Sequence, residues 1–235
     1  MSKYIVVEGP IGVGKTTLAK KIAHSLHYEL MLETFSDNPF LINFYKNQKE
    51  FALATQLHFL LNRSKVFTRE RKDFFASNEI VSDFLMKKDK LFAEIILNHE
   101  ELHLYDEISS ELDFHEPKPD LVIYLQADIN ILLNRIQKRG EIYEYQITSD
   151  YLGSIVNAYA KYFHSYEESP LLVINTSNVD VNKPDDYSLL LEVIKRVPLF
   201  FNFEIIFKMT FSTSFSDNLN LPWFPPITKK IVGFI

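Results

Sequence analysis

The chain has no cysteine. That excludes disulfides, zinc–thiolate sites and thiol catalysis, and it agrees with a reducing cytosol. No apolar run approaches the ~18 residues that suggest a bilayer span, so no transmembrane helix is expected. Met1-Ser2-Lys3 leads straight into an apolar stretch with no signal-peptide pattern, and a cytoplasmic location follows. Positive charge is in deficit: 25 Lys and Arg against 31 Asp and Glu give a net charge of −6. That argues against a general nucleic-acid or anionic-membrane partner. Internal repeats are absent. What remains is 235 residues, 46% hydrophobic, a length suited to one domain with a sizeable core.

Glycine is also scarce. There are only six, and three of them stand at positions 9, 12 and 14. They follow the apolar run Tyr4-Ile5-Val6-Val7 and precede a segment apolar at 18, 19, 22, 23 and 26, which is helical spacing. Gly9 to Thr16 fits the pattern of Gly, four residues, Gly-Lys-Ser/Thr: a P-loop between a buried strand and a helix. Gly9, Gly12, Val13, Gly14, Lys15, Thr16 and Thr17 are thus the candidate ATP-binding residues. Backbone N–H groups and the helix N-terminus would cradle the phosphates. Lys15 would reach the β- and γ-phosphates, and the Thr16 hydroxyl would hold Mg²⁺.

Further strands are expected over 28–33, 79–83, 121–125 and 171–174. Helices are expected near 40–45, 51–75, 90–97, 100–114, 129–139, 151–166 and 184–196. In the long 51–75 helix, Ala54, Leu57, Leu60, Leu61, Ser64 and Phe67 mark an inner face, with Gln56 and Arg63 beside it. Short apolar strands alternating with helices predict an α/β fold: a doubly wound, five-stranded parallel sheet of the P-loop NTPase type, helices on both faces and a short lid. Ligands then sit at the carboxyl ends of the strands, where Glu8, the P-loop, Glu33 and Asp83 fall.

Glu33 is the candidate general base, because deprotonating a hydroxyl requires a carboxylate near the γ-phosphate. Arg135, Lys138 and Arg139 stack at i, i+3 and i+4 near a helix end. That spacing suits a cationic lid and a solvated basic helix end equally. Gln56 carries a donor and an acceptor on one planar head, suited to a nucleobase edge. His99-Glu100-Glu101-Leu102-His103 matches the H-E-x-x-H zinc pattern, but its charged helix start reads as a solvated face and no zinc site is expected.

Together these segments resemble the deoxynucleoside kinase family, and its bacterial branch most. The resemblance rests on Val7 to Thr17, Leu32-Glu33 to Tyr45, Gln56 to Arg63, Val81-Ser82-Asp83 to Ala93, Pro119 to Leu125, and Arg135 to Glu144. It implies that Glu33 takes the proton from the nucleoside 5′-hydroxyl. It also implies that Tyr45 and Glu144 bind the sugar 3′-hydroxyl, Gln56 pairs with the base edge, Phe92 stacks on the base and Arg139 clamps the donor phosphates. Arg63 falls with these substrate-side residues.

Two positions depart from the family pattern. The third strand usually ends in acid-Arg-Ser, and here the residues are Ser82-Asp83-Phe84. Without a gap Asp83 falls on the arginine; slipped by one it falls on the acid that helps hold Mg²⁺, which its chemistry favours. The second lid arginine is replaced by Glu141. Lys87, Lys88 and Lys138 are the cations available to compensate.

The reading is an ATP- and Mg²⁺-dependent deoxynucleoside kinase for nucleotide salvage, a homodimer with no nucleic-acid or membrane partner. The alternatives are a nucleoside monophosphate kinase of thymidylate type and a non-catalytic nucleotide-binding relative. The kinase domain is expected over 1–197. Residues 198–235 form a Phe-rich extension whose period-2 pattern from Phe201 to Phe215 predicts one long strand.

Overall fold

The computed structural model describes residues 3–35, 37–68, 71–196, 205–209 and 231–234. The first strand, β1 (Tyr4–Glu8), lies inside the sheet with every residue buried. Since alternate side chains point to opposite faces, both faces of the sheet are covered here. β1 pairs in parallel with β3 (Ile80–Ser82) on one side and β4 (Leu121–Gln126) on the other. β2 (Glu29–Met31) adds to β3, and β5 (Leu171–Asn175) adds to β4. The five expected strands are therefore present, all parallel, in the order β2-β3-β1-β4-β5.

The sheet does not stop there. β6 (Ile205–Met209) pairs in parallel with β5, and β7 (Ile231–Phe234) pairs with β6. The long strand expected from Phe201 to Phe215 is thus described only over its middle, and the rest lies outside the described residues. Trp223-Phe224-Pro225-Pro226 and the 197/198 boundary lie outside them too.

The helices are α1 (Lys15–Leu26), α2 (Leu41–Lys46), α3 (Gln48–Val66), α4 (Lys72–Ser77), α5 (Lys88–Ile96), α6 (His99–Glu111), α7 (Ile129–Arg139), α8 (Ser149–His164) and α9 (Pro184–Arg196). The expected 51–75 helix is two helices. Phe67 is fully buried, stacks on Phe75 at 5.6 Å and meets Phe84 edge-on at 5.8 Å. Bringing Phe75 back onto Phe67 requires the chain to turn between them, and the freed Phe67 carbonyl accepts the His115 N–H at 2.7 Å.

The inner face of α3 also differs from the apolar stripe. Ala52, Thr55, Gln56, Leu60, Arg63 and Ser64 are buried, while Leu61 is exposed. Gln56 and Arg63 can occupy the inner face because they find buried partners there. The His99–His103 segment is the first turn of α6: Asn98 and Glu101 form a capping box, and His103 sits beside Glu107.

Candidate active site

The P-loop leaves the carboxyl end of β1 and turns into α1. Gly9 has φ +149°, and a Cβ there would lie 2.4 Å from the Leu125 carbonyl oxygen, so the loop runs flush against β4. Gly14 occupies the cap of α1 with φ +103°, and the first turn of that helix carries no acidic residue. An uncovered N-terminus of this kind attracts anions. Lys15 Nζ bends back to the carbonyls of Gly9 at 2.7 Å and Pro10 at 3.1 Å. Burial and the neighbouring Lys88 ammonium push its amine down to about 8. Behind the loop, Glu8 accepts hydrogen bonds from the Leu85 N–H, the Gly9 N–H and the Tyr159 hydroxyl, which ties β1 to α8.

Asp83 follows β3 and faces the same loop. Its Oδ2 accepts from Thr16 Oγ1 at 2.5 Å, and its Oδ1 accepts from the Glu33 N–H at 2.8 Å. One carboxylate thus fixes both the P-loop threonine and the backbone of Glu33.

Beyond β2 the chain carries Glu33 to the floor of a cavity of about 410 Å³. Its side chain is 4% exposed. Arg63 approaches Oε1 with two N–H groups, and Lys88 donates to Oε2 at 2.6 Å. Burial works to raise Glu33, but these two cations outweigh it and hold the carboxyl down at about 2. Arg63 also pairs with Asp89 at 3.0 Å. Burial pushes Asp89 up to about 6 despite that arginine. The Gln56 amide donates to the Asp89 backbone and side chain. Its donor is thereby engaged and its carbonyl remains for the cavity.

Tyr45, Phe92, Arg139 and Glu144 line the same cavity. Arg139 closes α7 beside Gly140, which takes φ +77° and caps the helix. Its guanidinium pairs with Glu144. The residues expected on the acceptor side, Glu33, Tyr45, Gln56, Arg63, Phe92 and Glu144, therefore converge on one cavity with Lys15 and Thr16. Glu141 lines it as well.

A second cavity of about 700 Å³ opens on the other side of the loop, lined by Val13, Arg135, Lys138 and the segment Thr176–Lys183. Gly12, Gly14, Thr17 and Arg139 line both cavities. Arg135 does not belong to the lid end. It donates to Thr176 Oγ1 and to the Thr176 carbonyl, each at 2.7 Å, and to the Val13 carbonyl at 3.3 Å, and so braces the P-loop against the segment after β5.

The deoxynucleoside kinase family model matches residues 5–197. The chain belongs to the deoxynucleoside kinase family. Among curated members, deoxyguanosine kinase of Bacillus subtilis is 33% identical over 189 residues, covering 77% of this chain and 91% of that one. Deoxyadenosine/deoxycytidine kinase of the same organism is 28% identical, covering 75% and 84%. A solved structure of deoxyadenosine kinase from M. mycoides with bound dATP superposes with a TM-score of 0.71 at 23% identity, covering 82% of this chain and 99% of that one. The fold is thus that of the deoxynucleoside kinases, and the activity is that of an ATP-dependent phosphotransferase acting on deoxynucleosides. The monophosphate-kinase alternative is not favoured. The matching family model and the curated relatives are deoxynucleoside kinases.

Sequence reasoning did not single out Asp89, and it left Lys88 among three candidate cations. The spacing from Lys88 to Phe92 is one helical turn, which places the two on one face of α5.

Proposed function

We propose that this deoxynucleoside kinase transfers the γ-phosphate of ATP to the 5′-hydroxyl of a purine deoxynucleoside. The observation that carries the reading is the shared wall: the cavity that holds Glu33 and a second cavity meet at the P-loop. A donor and an acceptor bound in them face each other across that loop. The purine preference is supported by the likeness to deoxyguanosine kinase.

In this reading Lys15 releases the Gly9 and Pro10 carbonyls and takes the donor phosphates, with the N–H groups of the loop. Arg139 exchanges Glu144 for the same phosphates. Glu144, with Tyr45, then holds the sugar 3′-hydroxyl. Phe92 stacks on the base, Arg63 holds Glu33, and the Gln56 carbonyl, fixed by Asp89, accepts from the base edge. Thr16 Oγ1 and Asp83 Oδ2 are hard oxygens 2.5 Å apart, a donor set that fits Mg²⁺. Bound there, the ion would neutralise charge on the β- and γ-phosphates.

Glu33 is ionised throughout the neutral range and accepts the 5′-hydroxyl proton. A carboxylate held this low is a weak base. It suits a loose transition state in which the hydroxyl becomes acidic only as its oxygen bonds to phosphorus.

Residues 1–197 form the kinase domain and 198–235 an extension of it. The protein works as a cytoplasmic homodimer without a nucleic-acid or membrane partner. Among the described residues, no helix is long and apolar enough to cross a membrane. ATP consumption with each of the four deoxynucleosides and their monophosphates tests the substrate class. Glu33→Gln is expected to lower kcat by about 10²- to 10⁴-fold with little change in ATP binding. Retained turnover would remove Glu33 from the role of base.

A further inference from the structure

Lys87 caps α5 and Lys88 begins it, and the fold sends the two in opposite directions. Lys87 reaches outwards to Glu168, and its side chain stays 53% exposed. Lys88 turns inwards and is 5% exposed. Taking an ammonium out of water costs several kcal/mol unless its surroundings compensate. For Lys88 they consist of Glu33 Oε2 at 2.6 Å and two ring faces, Phe35 at 5.5 Å and Phe92 at 5.8 Å to the centroids.

Glu33 is already held in place without this second cation. Arg63 already grips Oε1 with two N–H groups, and the Glu33 backbone is fixed by Asp83. An ammonium has three donors. Among the described residues Lys88 spends one on a side chain, that of Glu33. The other two are available to an anion in the cavity it lines. Its position says which anion. Phe92, one turn further along α5, marks the nucleoside side, and Lys15 of the P-loop marks the donor side. Lys88 stands between them, on the carboxylate that meets the 5′-hydroxyl.

We propose that Lys88 is a catalytic cation of this kinase: its ammonium bridges Glu33 and the oxygens of the phosphoryl group in flight. It supplies, from the start of α5, a positive charge that the end of β3 lacks in this chain, where Asp83 stands. The inference rests on the reading of Glu33 as the base. In the step it serves, the 5′-oxygen bonds to the γ-phosphorus. The bond from that phosphorus to the bridging oxygen breaks, and its electron pair leaves on ADP. The hydroxyl proton goes to Glu33. Lys88 keeps its own protons and follows the negative charge as it shifts from Glu33 to the phosphoryl oxygens.

The test compares Lys88→Met, Lys88→Arg and Lys88→Cys in the full chain. Lys88→Met is expected to lower kcat by about 10²- to 10³-fold, the size of a lost transition-state donor. Dissociation constants for ATP and the deoxynucleoside, from calorimetry, should stay within about threefold of wild type. Lys88→Arg should recover at least about tenfold of the lost kcat.

Because the chain has no cysteine, the thiol of Lys88→Cys is unique. Aminoethylation with 2-bromoethylamine restores an ammonium at nearly the lysine length and should restore kcat. Iodoacetamide, which adds a neutral amide, should not. This pair of arms decides the matter even where Lys88→Met fails to fold. A Lys88→Met kcat within about threefold of wild type, a loss confined to KM, or equal activity after the two alkylations would each overturn the proposal. Glu33→Gln separates the two readings. If it stays active while the Lys88 variants fail, the base assignment falls and the cation stands; the reverse pattern removes Lys88.

Discussion

A single side chain can carry a pH dependence of its own. Glu116 lies in the segment between α6 and β4, where its Oε1 accepts the Met86 N–H at 3.0 Å. Burial pushes its carboxyl up to about 7 from an unfolded value near 4.5, against the pull of that hydrogen bond. Between those two pH values the folded chain holds a proton that the unfolded chain has lost. Stability contributed by the neutral form is therefore complete below pH 4.5 and is lost as pH rises through 7. Glu116→Gln keeps the acceptor for Met86 and removes the titration. Urea midpoints of the variant should match wild type near pH 4.5 and exceed it at pH 8. A parallel pH dependence in both proteins would assign the slope to other groups. Burial is what makes Glu116 unusual, and no local pattern around it signals that burial. The same holds for Lys87 and Lys88, which are alike in sequence. Only the packing of α5 against α3 and α8 puts one in water and the other on Glu33.

Among elements, the unit β1, P-loop and α1 was the most legible, because its apolar run, its three glycines and its helical spacing are all local. The glycines nevertheless differ in what they tolerate. At Gly9 a Cβ would meet the backbone oxygen of Leu125 at 2.4 Å, whereas at Gly14 it would find nothing within 4 Å. Gly14→Ala therefore costs the positive-φ strain alone, about 1–2 kcal/mol. Gly9→Ala adds a clash with a neighbouring strand and should cost about 3 kcal/mol or more. Thermal melts of the two variants measure the difference, and equal losses would contradict the close approach of the loop to β4. Strand ends were legible too, since Glu33 and Asp83 sit just past β2 and β3. The inner face of α3 was not. Its apolar stripe includes Leu61, which is exposed, while Arg63 points inwards because Glu33 and Asp89 await it. Those partners lie 30 and 26 residues away in the chain, beyond the reach of any helical periodicity.

For the whole molecule, the exposed leucines pose the question of what covers them. Leu61 of α3 and Leu104 of α6 are each 43% exposed, and the two helices pack on each other. The proposed homodimer gives this surface a partner. Leu61→Glu combined with Leu104→Glu is expected to halve the mass seen by sedimentation velocity while the circular dichroism spectrum stays unchanged; a wild-type monomer would end the proposal. The pairing of the sheet has a consequence of a different kind, for synthesis. β1 is made first, yet its neighbours are β3 and β4, with Tyr4 opposite Ile80 and Ile5 opposite Leu121. A ribosome adds about 5–20 residues per second, so β1 waits on the order of 10 s for its second neighbour. Throughout that interval an apolar strand and a phosphate-binding loop hang from the nascent chain without the walls that define them. The P-loop of this kinase is thus made well before the strands that wall it, and the interval between is when a chaperone has most to shield.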